Sequence, residues 1–562
     1  MEISRREAFK SLGGLASSLC IDLIPNKHHP QPTPDKEWNL LEHFQEWMLS
    51  PDYVFPWDKR VLDFNERLTF PPLYSSRDDN SRAQISLGTV ITTDLRLDFG
   101  HSPSNLKWNQ TLYNVNGNAH FVLNLNNLGP TVYYRISYKL KTGWKPISPV
   151  RAFINPLREE PLVVYLLSDP HIYADNFVEA HPLQKDSSVQ NGLQADYAFY
   201  FLKNALLNPE WYINIDKKNK ENINWLNRTF HYANAISCII KENKLPGLII
   251  DFGDVIGFES KNLARQGLYG CPRQKAAELS WKRYRKYNGA VTPFSEFMFI
   301  SGNHDGECVF TNPYHAFYKS ARIDIWNCDN FLAVNQDENY FRVQRYQGKV
   351  DFYGLDVPFH SGNFQEGCGP KKPQDYRLGK RQKARFYKDL QESRAIYKFV
   401  CMHNVVGGWD PEGTMLHCGM GPLFSAEDYY ACGIDPNSVE QPELTRTAEK
   451  YGVKAFLKGH DHLAQKRVIG IGRDSNPVYA INIGATKGIA SYDQIFRHDS
   501  LFQQWYGYQY HLDYFDPSEI TQFTISQNEI WARVICSSIP KDSANIRSLN
   551  PKLGQTLSGY LL

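Results

Sequence analysis

Five short apolar runs, scattered along the chain, each stop at residues that bind metals or make strong hydrogen bonds. Val163–Leu167 leads through Ser168 into Asp169-Pro170-His171, and Leu248–Phe252 leads into Gly253-Asp254. Phe297–Ile300 leads through Ser301 into Gly302-Asn303-His304-Asp305. Phe399–Met402 runs into His403, and Val453–Lys458 into Gly459-His460-Asp461-His462. Near-continuous apolar runs of this length read as strands buried on both faces. In an open α/β sheet the carboxyl ends of such strands share one edge, and ligands bind there. The pattern therefore predicts an α/β sheet that brings Asp169, His171, Asp254, Asn303, His403, His460 and His462 to one crevice. Gly253, Gly302 and Gly459 stand where the chain must turn sharply off a strand and carry its backbone close to a bound group. Any one block occurs by chance in many chains, whereas five in order, each on a strand end, point to one site.

The surroundings agree with that reading. After Pro161, apolar runs alternate with amphipathic stretches at Asp196–Leu207, Trp225–Lys241, Arg381–Glu392 and Pro442–Lys450, the texture of an α/β domain. Before it, Ile85–Thr92, Leu95–Phe99, His120–Leu125, Val132–Tyr138 and Val150–Ile154 read as short strands separated by turn residues. Strands of that length and spacing predict a small antiparallel sandwich. Two long insertions, Tyr173–Pro246 and Phe258–Pro293, leave from the strand ends that form the crevice, which is where specificity would be set.

Composition narrows the classes of function. A chain of 562 residues has room for two to four domains. Lys+Arg 62 against Asp+Glu 60 leaves a net charge of +2, so nothing indicates a nucleic-acid partner or an anionic membrane. No apolar run reaches the ~18 residues that a membrane-spanning helix needs. Ten cysteines in a chain this long are too sparse for a disulfide scaffold, and Cys401, on the strand before His403, reads as a small buried apolar residue.

The ordered blocks resemble the calcineurin-like metallophosphoesterase superfamily, whose pattern runs Asp-x-His, Gly-Asp, Gly-Asn-His-(Asp/Glu), His, Gly-His-x-His. The resemblance extends from Pro161 to near Ser538 and includes Phe352-Tyr-Gly-Leu-Asp356 with the helix around Gln382–Leu390 that follows it. The segment His120–Arg135 resembles a fibronectin-type-III strand pair, similar to the domain that precedes the catalytic domain in purple acid phosphatases. The resemblance implies an N-terminal all-β sandwich followed by a four-layer α/β metallophosphoesterase domain, two packed mixed sheets flanked by helices. It also implies a dinuclear centre, with one metal on Asp169, His171, Asp254 and His462 and the other on Asp254, Asn303, His403 and His460. Asp254 would bridge the pair. Mixed imidazole and oxygen donors suit two divalent ions of Mn, Fe or Zn.

The implied activity is hydrolysis of a small phosphate ester, monoester or diester, by a water-derived nucleophile, with His304 as the general acid. Asp305 reads as a residue that fixes the turn. Purple acid phosphatases have Gly where His171 stands and Tyr where this chain has Gly257, so a colourless enzyme with divalent metals is expected. The rival from another class is a non-enzymatic, metal-stabilised binding or adhesion protein on the same fold. It would ordinarily have lost a ligand position or His304, and all are filled here.

Ser4-Arg5-Arg6-Glu7-Ala8-Phe9-Lys10 resembles a twin-arginine export signal and is followed by the Pro-rich stretch Pro25–Pro34. Asp22 interrupts its apolar region. The expected organisation is a signal over 1–26, linker and extension over 27–80, sandwich over 81–156, metallophosphoesterase domain over 160–540 and a tail over 541–562. The expected location is exported, periplasmic or secreted, with the cytoplasm as the alternative.

Overall fold

The computed structural model describes residues 68–76, 81–147, 150–158, 161–172, 245–255, 291–303, 305, 340–360, 364–365, 369–370, 373–404, 426–431, 433–460, 465–472, 475–486, 511–512, 518–538 and 556–562. It also describes single residues of the two insertions, at 232, 235, 236, 238, 239, 242, 284 and 288. The signal-like segment, the helix expected at Asp196–Leu207, His304 and His462 lie outside the described residues.

The N-terminal strands are β1 (Leu68–Ser76), β2 (Arg82–Gly100), β3 (Trp108–Asn124), β4 (Thr131–Leu140), β5 (Gly143–Pro146) and β6 (Arg151–Ile154). Then come β7 (Leu162–Leu167), β8 (Leu248–Asp251), β9 (Glu296–Phe299), β10 (Phe341–Arg345) and β11 (Val350–Leu355). A minimal ladder of β12 (Phe364–Gln365) and β13 (Gly369–Pro370) precedes β14 (Tyr397–Met402) and β15 (Ala455–Lys458). The last strands are β16 (Gln465–Ile471), β17 (Pro477–Asn482), β18 (His511–Leu512), β19 (Ser518–Ile525), β20 (Ile530–Ser538) and β21 (Thr556–Leu561).

Two mixed sheets carry the α/β region. The first runs β21-β20-β19-β7-β8-β9-β1-β2-β4-β5, with β3 on β2 and β6 on β4. The second runs β10-β11-β14-β15-β17-β16-β18. β7, β8 and β9 are parallel, as are β11, β14, β15 and β17, so their carboxyl ends point one way.

The strands are apolar throughout because both faces are covered. In β14, Phe399 and Cys401 face a core shared with Val164 and Leu166 of β7 and Ile250 of β8. Their neighbours Val400 and Met402 face a second core, with Phe386 and Leu390 of helix α1 (Lys380–Glu392) and Leu444 and Ala448 of helix α2 (Gln441–Lys450). The buried residues of α1, Gln382, Phe386 and Leu390, repeat every fourth position and so share one helix face.

At the N-terminus, β2, β3, β4 and β6 surround their own apolar core, including Ile85, Leu97, Phe121, Val132, Tyr134 and Phe153. Two strands expected at 85–99 are one continuous strand, β2, whose ladder with β3 breaks register between Thr89 and Leu95. This β layer is hydrogen-bonded into the first α/β sheet. β1, inside the stretch read as linker and extension, pairs antiparallel with β2 and parallel with β9. Its Pro71-Pro72 pair falls at a register shift, where a missing N–H costs no ladder bond. β21, inside the stretch read as a tail, adds an edge to β20. Among the described residues, no helix is long and apolar enough to cross a membrane.

Candidate metal centre

The described strand ends come together, not from one sheet edge as the strand pattern alone suggests but from both sheets. Asp169 and His171 follow β7, Asp254 follows β8 and Asn303 follows β9, all on the first sheet. His403 and His460 follow β14 and β15 on the second. All six side chains are buried. Five of them form two groups that share Asp254: Asp169, His171 and Asp254, then Asp254, His403 and His460. Within each group the candidate ligand atoms lie within 4.8 Å of one another.

The individual distances suit a shared cation. His171 Nε2 is 3.8 Å from Asp169 Oδ1 and 3.7 Å from Asp254 Oδ2. His403 Nε2 is 3.2 Å from the same Asp254 oxygen and 3.1 Å from Asn303 Oδ1. Atoms bonded to one cation at the usual N and O distances lie roughly 3.0–3.5 Å apart, so the His403 contacts already fit and the His171 contacts would close by a few tenths of an ångström. His403 Nδ1 is 2.5 Å from the carbonyl oxygen of Phe252. A proton on Nδ1 satisfies that carbonyl and leaves the lone pair of Nε2 facing Asp254 and Asn303, the tautomer a metal ligand needs.

Electrostatics lead to the same conclusion. Burial works against a charged His403, yet the carboxylates of Asp254 and Asp169 outweigh it and push the imidazole up to about 9. A field that holds a proton there also attracts a cation, and metal binding would displace that proton.

The backbone is bent to make this cluster. Asp169, His171, Asp254 and His460 all have positive φ, at 52, 42, 57 and 76°. Left-handed conformations of non-glycine residues concentrate where surrounding structure over-determines them. Several bonds do so here. Asp169 N donates to Gly253 O at 3.0 Å, and His171 N to Asp254 O at 2.9 Å. His460 N donates to Asp169 Oδ2 at 3.0 Å, and Ser168 Oγ donates to the same oxygen. Asp305 acts as the keystone of the first-sheet turns. Its carboxylate accepts from the backbone N–H groups of Asp254 (2.9 Å), Val255 (2.7 Å) and Gly302 (2.7 Å). Gly253 itself has φ of 90°, and a Cβ on it would collide with the backbone of Ile300 and Gly302.

Sequence reasoning did not single out two residues that serve the cluster. Ser168 is bonded both to Asp169 and, through its carbonyl, to the amide and hydroxyl of Thr486 at 2.8 Å each. Asp251 is the other. It is buried at the end of β8, and burial pushes its carboxyl up to about 7 even though Gly253 N–H and two tyrosine hydroxyls donate to it. An acid inside the apolar run Leu248–Phe252 was the visible sign. Cys401 is buried in the intersheet core, as its surroundings suggested, and burial pushes its thiol up.

No family model matches the chain, and no curated protein sequence does either. Among solved structures, PhoD aligns with a TM-score of 0.51 at 11% identity, over 84% of this chain and 87% of its own. The purple acid phosphatase PPD1 from yellow lupin (Lupinus luteus) seeds aligns at 0.49 and 12% identity, over 87% of this chain and 73% of its own. At these identities the likeness concerns fold alone: the chain folds like PhoD.

Proposed function

We propose that this chain is a metal-dependent phosphoric ester hydrolase of the calcineurin-like kind. The observation that carries this reading is the convergence of Asp169, His171, Asp254, His403 and His460 from two sheets into two groups that share one carboxylate, with Asn303 Oδ1 3.1 Å from His403 Nε2. Asp169, His171, Asp254 and His462 would hold one divalent ion, and Asp254, Asn303, His403 and His460 the other. Two such ions, of Mn, Fe or Zn, would lower the pKa of a water molecule and offset charge on phosphoryl oxygens.

The chain's own residues do the rest. Asp254 Oδ2 lies between His171 and His403 and so can serve both ions. The Nδ1–H bond from His403 to the Phe252 carbonyl keeps its ring oriented and its Nε2 available. His304, next to Asn303 in the sequence, is assigned the proton transfer to the leaving oxygen. The substrate is a small phosphate ester, monoester or diester, reached from an exported location if the twin-arginine-like segment acts as a signal.

The test is a pair of rates. Chelated protein is reloaded with Mn and assayed on p-nitrophenyl phosphate and on bis-p-nitrophenyl phosphate. Restored hydrolysis of either substrate is expected, and the faster one names the ester class. Protein that regains full metal and turns over neither belongs to the non-enzymatic reading.

A further inference from the structure

The strongest unassigned feature lies directly behind the turn that presents Asp254. Asp251 is fully buried, and its Oδ1 accepts the N–H of Gly253 at 2.9 Å. Its Oδ2 lies 3.1 Å from the hydroxyl of Tyr232 and 2.8 Å from that of Tyr284. Both tyrosines are completely buried and helical, and their rings pack at a centroid distance of 5.4 Å. They belong to different insertions: Tyr232 to Tyr173–Pro246, Tyr284 to Phe258–Pro293. One carboxylate thus ties one residue from each insertion to the backbone of the Gly253-Asp254 turn.

The proton count shows how tight the tie is. Tyr232 lies within bonding distance of Asp251 Oδ2 and also 2.8 Å from Asn288 Oδ1, but its hydroxyl has one proton. If the Asn288 amide is turned end for end, its Nδ2 donates to the Tyr232 oxygen, and the Tyr232 proton is released to Asp251. An amide permits that exchange without a change of shape. Asp251 then receives three donors, enough to hold a buried carboxylate in a fixed orientation.

We infer that Asp251, gripped by Tyr232 and Tyr284, is a positioning residue that sets the geometry of the Asp254 turn, so that this three-residue contact controls metal affinity. This inference rests on the reading of Asp254 as a shared metal ligand. Residues that orient a ligand from behind typically change metal affinity by roughly 10–100-fold when removed. Asp251→Asn keeps one acceptor for the Gly253 N–H but loses the two tyrosine bonds as they stand. Asp251→Ala loses all three.

The experiment is calorimetric titration of chelated protein with Mn2+, alongside thermal melting of the metal-free protein. Wild type, Asp251→Asn, Asp251→Ala, Tyr284→Phe and the double variant Tyr232→Phe/Tyr284→Phe are compared. Expected is weaker Mn2+ binding in the order wild type, Asp251→Asn, Asp251→Ala, with about a tenfold loss or more for Ala. The tyrosine variants, which keep Asp251 and fold more readily, should also weaken binding by several-fold. Variants that melt lower yet bind Mn2+ with wild-type affinity would make the cluster a core tie and overturn the inference. A wild-type chain that takes up no Mn2+ overturns the reading beneath it instead.

Discussion

At the scale of single residues, the site is a set of buried polar groups whose partners were chosen by distant parts of the chain. Asp251 shows how such a group reports on pH. Burial raises its carboxyl from an ordinary 3.8 to about 7, so the folded metal-free protein binds a proton more tightly than the unfolded chain does. Its contribution to stability is complete below about pH 4 and is lost as pH rises through about 7. Melting of metal-free protein should therefore drop between pH 5 and 8, and Asp251→Asn should flatten that slope. An equal slope in both proteins would assign the drop to other groups. His304 has a different signature. Replacing it with Ala should lower turnover by about 10²–10⁴-fold while bound metal stays at the wild-type level. Unchanged turnover at full metal content would remove it from the chemistry.

Secondary-structure elements show most directly what could be read in advance. β7, β8, β9, β14 and β15 were legible because a strand covered on both faces has no polar alternation to disguise it, and its first polar residues mark its end. α1 and α2 were legible from their one-sided apolar spacing. β1 was not: Leu68–Ser76 contains Pro71-Pro72, which reads as linker, and only the register shift at that pair lets it enter a ladder. The first half of β3 was also missed, since Trp108–Ala119 is rich in Asn and passes through Asn114 and Gly117 at positive φ. Asp251 escaped notice because its neighbours made the run look wholly apolar, and its tyrosine partners lie in other parts of the chain.

The turns between strand and ligand lend themselves to a sharp test. Gly253→Ala would force a Cβ onto a left-handed residue and against the backbone of the Ile300–Gly302 turn. It should cost at least about 2 kcal/mol, measured by denaturant unfolding, and lower metal content in whatever protein remains folded. A near-neutral result would mean the turn can relax without disturbing Asp254.

For the whole molecule, two cores lie on either face of the second sheet, and the N-terminal strands keep a third of their own. A metal held by the proposed ligands would bind the folded chain and not the unfolded one, so saturation would add stability by mass action. At free metal one hundred times Kd the gain is about 2.7 kcal/mol per independent site. Chelation should lower the melting temperature measurably and readdition of Mn or Zn should restore it; a melting curve indifferent to both would count against a metal site here. With His171 in place and Gly257 where a tyrosinate would be needed, the loaded protein should show no absorption band at roughly 500–600 nm.

That the proposed ligands come from both sheets has a consequence for synthesis. Asp169 emerges early and His460 almost three hundred residues later. A growing chain, or one truncated before β15, can present the first cluster's three residues but never the second's. The proposed activity, if measured in a crude preparation, would therefore act as a proofreading signal, reporting only molecules whose translation has passed β15 and whose two halves have come together.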